Sequence, residues 1–180
     1  MRKRIALALV LAACSSGESK KVADSTSADT SIPAPPQAVS LTAADLDGFE
    51  KGIAREIYLV KEGQERARRA QTPVERGNAI QSTFEENTIS GAVEASGLTV
   101  DRYRLVRQTL SRLLTTLDFQ GRIDGPQSVD TSLAGPEMRA RLASDPYEAL
   151  DPASAQLVRD RLGKIVPLWV EYINLTVVGG

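Results

Sequence analysis

Four times along this chain a capping residue is followed by apolar side chains spaced three and four apart, and no segment alternates apolar and polar as a half-buried strand does. That period confines the fold to helices that pack by one face. In the first unit Thr42 stands three residues before Asp45, a capping-box spacing. Leu46, Phe49, Ile53, Ile57, Val60, Gln64 and Ala67 then follow on one face, which predicts a helix over 43–71. Arg66, Arg68 and Arg69 suit the negative end of its dipole.

The second unit opens with Thr72-Pro73-Val74-Glu75, a cap, a first-turn proline and a box partner. Its stripe runs through Ile80, Phe84, Thr88 or Ile89, Ala92 and Ala95, predicting one helix that stops at Ser96-Gly97-Leu98. In the third, Thr99 caps a helix whose face is Tyr103, Val106, Leu110, Leu113, Leu114 and Leu117, ending near 118–121. The fourth starts at Asp151-Pro152 and carries Leu157, Val158, Leu162, Ile165, Val166, Trp169, Tyr172 and Ile173. Pro167 lies inside it and is expected to kink it, at a cost of about 3 kcal/mol in an isolated helix. Between the third and fourth units, 121–137 is punctuated by Gly, Pro, Asp and Ser and reads as a long loop, a candidate interaction surface. Short helices are expected at 136–143 and 146–150.

These units predict an all-α domain over 41–180, a bundle of about four long helices with short connections between the first three, which argues for antiparallel neighbours. Aromatics are only 4% of the chain, so its core must be mostly aliphatic.

The N-terminus has a different character. Met1-Arg2-Lys3-Arg4 is a basic start, and Ile5–Leu11 is an apolar run far below the roughly 20 residues of a membrane span. Residues 1–13 therefore read as a signal peptide. The segment "LVLAACSSGES" places Leu11-Ala12-Ala13 directly before Cys14, with small polar residues after it, and resembles a bacterial lipobox. The resemblance implies that Cys14 carries a diacylglycerol, becomes the first residue after cleavage, and is acylated on its amine. Two or more chains anchor a protein stably. Ser15, rather than Asp, implies delivery to the outer membrane with the domain facing the periplasm. The Ser-, Thr-, Ala- and Pro-rich residues after Cys14, up to 40, cannot bury enough surface to order themselves and read as a tether. The chain has 22 basic residues; loss of three with the signal leaves 19 against 23 acidic, a net charge of −4. Nucleic acid is thus not an expected partner.

The chemistry of the chain is defined by omissions. It has no histidine and one cysteine, so Ser-His-Asp, Cys-His and Cys/His zinc chemistry have no residues to use. No Gly-rich phosphate cradle is present. Glu85 and Glu86 diverge by about 100° on a helix and read as a solvated face. Asp118, Asp124 and Asp130 lack the spacing of a calcium loop. Arg102, Arg104, Arg107 and Arg112 read as a solvated stripe. No metal, cofactor or catalytic residue is expected. The candidate binding residues are Trp169 and Tyr172 beside Pro167, against the more common reading of such a pair as core. A second segment, "EASGLTVDRYRLVRQTL" at 94–110, resembles the helix–Gly-Leu-Thr–helix corner of uncharacterised exported bacterial helical proteins, which implies a helical envelope protein.

The expected function is non-enzymatic: a membrane-anchored envelope lipoprotein that binds or supports an envelope protein partner. The alternatives are an extracytoplasmic helical chaperone or a binder of a small apolar ligand.

Overall fold

A computed structural model of the chain describes residues 38–126 and 134–178. Among them are six α-helices and no strand: α1 (Ala43–Arg69), α2 (Pro73–Gln81), α3 (Glu85–Ser96), α4 (Val100–Phe119), α5 (Pro136–Ala143) and α6 (Pro152–Ile173). A π-helical turn, Asn174–Val178, extends α6. The domain is all-α, a helical bundle. None of these helices is long and apolar enough to cross a membrane.

The caps are where the spacing puts them. Thr42 and Thr72 form capping boxes with Asp45 and Glu75, and Thr99 and Asp151 accept from the amides of Arg102 and Ser154. Gly97 takes the left-handed conformation (φ 69°) that turns α3 into α4.

Helix α1 is central and touches α2, α3, α4 and α6. Helix α3 runs antiparallel to it, with Gly48 against Leu98 and Gly91 against Leu59. Helix α6 runs parallel to it: Arg161 bonds Asp47 and Glu50 near one end, and Lys61 pairs with Glu171 near the other. The core lies between α1, α4 and α6, built on Leu46, Phe49, Leu110, Leu114, Ile165 and Trp169, and closed by Leu41, Tyr147 and Leu150.

The structure departs from the sequence reading in two elements. The single helix expected over 73–96 is broken at Ser82–Phe84. Ser82 Oγ donates to the Ala79 carbonyl (2.6 Å) and Thr83 Oγ1 to the Ile80 carbonyl (2.7 Å), so side chains compete for backbone partners and the turn tightens. Asn87 Nδ2 then caps the Gln81 carbonyl (2.8 Å). The short helix expected at 146–150 is instead a turn, held by the Asp145 side chain accepting from the Tyr147 amide (3.0 Å). That turn delivers Leu150 to a parallel bridge with Val39. The Val39 amide donates to Ala149 (2.8 Å) and the Asp151 amide to Val39 (3.2 Å). The chain thus enters the domain already fastened at Val39, two residues before Leu41.

Helix α5 has the expected bounds, and α6 passes through Pro167 without ending. Of the loop at 121–137, residues 127–133 and Asp130 among them lie outside the described residues, as do residues 1–37 with Cys14 and the signal.

Candidate functional site

The site begins with a charge where the apolar stripe of α1 should continue. Glu56 lies three residues after Ile53 and four before Val60, so helical geometry turns it inward, and it is fully buried. A carboxylate there needs partners. Helix α4 supplies them: Tyr103 donates its hydroxyl to Oε1 (2.7 Å), and Arg107 bonds both oxygens through Nε (2.9 Å) and Nη2 (3.0 Å). Gly52 makes the approach possible, because a Cβ on it would overlap the Tyr103 ring. Burial, with the Glu56 charge behind it, pushes the Tyr103 hydroxyl far above its ordinary pKa. Burial opposes the Arg107 charge, but the Glu56 hydrogen bond and charge overcome it and hold the guanidinium protonated.

Arg107 reaches two further groups. Its Nη2 donates to the Tyr172 hydroxyl (2.8 Å), and the guanidinium lies over the Tyr172 ring, 5.3 Å from its centre. Burial pushes Tyr172 up to about 12. Arg107 Nη1 meets Glu85 Oε1 at 3.0 Å. The buried cluster therefore spans four helices and comes to the surface at Tyr172 and Glu85.

Both of these line a cleft of about 620 Å³. Its walls are the C-terminal half of α1 (Val60, Gln64, Ala67, Arg68), the break between α2 and α3 (Ile80, Thr83, Phe84, Glu85), and the end of α6 with its π turn (Tyr172, Asn174, Leu175, Thr176). The volume is in the range of small-ligand sites. Phe84 and Ile80 are 53% and 45% exposed, although both belong to the apolar stripe of their segment. Phe84, at the break, and Ile80, in the last turn of α2, both face the cleft. Gln64 Nε2 holds the Leu175 carbonyl (3.0 Å), which fixes the π turn as the third wall.

The sequence candidates separate. Tyr172 lines the cleft, Trp169 is core at 1% exposure, and Pro167 is exposed on α6 away from it. The three do not form one site. The Trp169 Nε1 is buried without an acceptor among the described residues. Glu85 is exposed, as its reading as a solvated face has it, and pairs with Arg107 at the edge of the cluster; Arg107, read from sequence as part of a solvated stripe, is instead mostly buried, and Arg102 is fixed to the buried Asp45 (2.6 Å). Asp118 is buried, packed by Gly125, and Asp124 is exposed. Sequence reasoning passed over Glu56, though its position on the α1 stripe was the available signal. Among the described residues no group of three or more His, Cys, Asp or Glu is placed to hold a metal.

A second, smaller hollow of about 210 Å³ lies between α4 and 144–149. Comparisons with protein-family models, with curated proteins and with solved structures found no match.

Proposed function

We propose that this chain is a membrane-anchored lipoprotein of the cell envelope whose helical domain holds an apolar ligand, without chemistry, in the cleft between α1, the α2–α3 break and the end of α6. The observation that supports ligand binding is the exposure of Phe84 and Ile80 on the wall of an open cleft. Water gains nothing by solvating these side chains, and burying such apolar area is worth roughly 25 cal/mol per Å². The anchor rests on Cys14 and the residues before it. The other large exposed apolar side chains, Tyr58, Val74, Val100 and Leu105, lie outside the cleft lining, which favours a ligand site over the broad apolar face that a chaperone needs.

The test is fluorescence of N-phenyl-1-naphthylamine with the purified full chain. Saturable enhancement that Phe84→Asp abolishes, with the melting temperature retained, is the expected result. Enhancement that is absent, or indifferent to Phe84→Asp, overturns the reading.

A further inference from the structure

Directly behind two lining residues of the cleft, Glu85 and Tyr172, lies a cation, Arg107, whose two carboxylate partners differ in standing. Glu56 is fully buried against Arg107, and Glu85 is 57% exposed on the cleft wall. Glu56 cannot leave without stranding a buried guanidinium. Glu85 can: its carboxylate is well solvated when it swings out, and half-exposed pairs contribute little against water. The other charged side chain among the described lining residues, Arg68, is 72% exposed, so a bond to it is made in water and contributes little, unlike one to the mostly buried Arg107.

We propose that the cleft takes a single-chain amphiphile with a carboxylate head. The head replaces Glu85 on Arg107 Nη1, beside the Tyr172 hydroxyl, and the tail lies along Phe84, Ile80, Val60 and Leu175. Glu85 marks the shape and charge of the group that fits there, since it is itself a carboxylate held at 3.0 Å. The exchange leaves one carboxylate on Nη1, so the charge bound to the cluster is unchanged. A cationic head would meet Arg107 itself. An uncharged head would leave Glu85 in place and could bond only a carboxylate already paired with Arg107, without a charge of its own to set against the guanidinium. This inference rests on the reading of the cleft as an apolar-ligand site.

The experiment is calorimetric titration of the full chain at pH 8 with dodecanoate, dodecanol and dodecyltrimethylammonium, each below its aggregation concentration. Wild type and Glu85→Ala are compared, with melting temperatures recorded to show that both are folded. Expected is at least about tenfold tighter binding of dodecanoate than of the cation. Glu85→Ala, which removes the competing carboxylate, tightens dodecanoate by about three- to fivefold and leaves dodecanol unchanged. Equal binding of the three probes with no effect of Glu85→Ala overturns the carboxylate head and leaves the apolar cleft standing. Binding of none of them overturns both.

Discussion

Glu56 is a buried carboxylate at the centre of α1, and both its oxygens are bonded, Oε1 by Tyr103 and Arg107 and Oε2 by Arg107. Removing one member of such a pair leaves the other uncompensated. Glu56→Ala is therefore expected to cost about 3–5 kcal/mol in urea unfolding. Replacing both, Glu56→Leu with Arg107→Met, should recover a large part of that loss, because apolar side chains of similar size need no partners. A double variant no more stable than Glu56→Ala would mean that the cost lies in packing and not in the pair. Trp169 is the opposite case. Its indole is packed in the core and its N–H is unsatisfied. Trp169→Phe should cost roughly 1–2 kcal/mol through the smaller ring, with probe binding in the cleft unchanged. Loss of binding at retained stability would return Trp169 to the site. The sequence could show that Trp169 and Tyr172 share a helix, but not that one turn of α6 separates core from cleft. What sets Tyr172 apart is its contact with Arg107 of α4 and its place on the cleft wall, a tertiary fact.

The elements were legible wherever a local rule decides them. Caps at Thr42, Thr72, Thr99 and Asp151 are set by residues within three positions, so helix starts could be read directly. The break at Ser82–Phe84 could not. Its stripe continues in phase across the break, where the Ser82 and Thr83 hydroxyls take backbone carbonyls and the turn packs against Gly63 of α1, on which a Cβ would overlap both side chains. Glycine on α1 thus does two jobs that Ala would undo. Helix propensity alone predicts that Gly52→Ala gains up to about 1 kcal/mol. The added methyl would overlap the Tyr103 ring, and overpacking of about 1–3 kcal/mol outweighs that gain. In α2, Gly77 has open space around its Cα, so Gly77→Ala should show the gain without the penalty. Opposite signs for the two substitutions in thermal melts are expected; the same sign would refute the close approach. The start of α1 is also a pH-sensitive element. The Arg102 hydrogen bond, helped by Thr42 and opposed by burial, holds Asp45 at about 2 instead of the ordinary 3.8. A lowered folded-state value stabilises above pH 4, and the contribution is lost as pH falls toward 2. Wild type should lose about 2 kcal/mol between pH 5 and pH 2 that Asp45→Asn does not lose, measured by urea unfolding.

At the scale of the whole molecule, the entry of the chain and the cleft lie at opposite ends of α1. Leu41 is fixed by its amide to Ser154 Oγ (2.7 Å) and Arg102 holds the Ser40 carbonyl (2.8 Å). The cleft begins at Val60 and Gln64. From Ala43 to Gln64 the helix rises about 30 Å. A pull on the N-terminal side of Val39 therefore loads the bridge to Leu150 and the first turn of α1, and reaches the α2–α3 break only through the length of the bundle. Anchoring and binding should then be separable. On the proposed lipid anchor, fractionation of cells expressing wild type should leave the chain in the membrane pellet until detergent is added, and Cys14→Ala, expressed behind a cleavable signal in place of residues 1–13, should move it to the soluble fraction, since none of the described helices is long and apolar enough to cross a membrane. Both forms should bind N-phenyl-1-naphthylamine with the same affinity once purified. A Cys14→Ala chain that stays in the pellet would overturn the lipid anchor. A Cys14→Ala chain that is soluble but binds the probe differently would show that the tether reaches the cleft, and the two ends of α1 would not be independent.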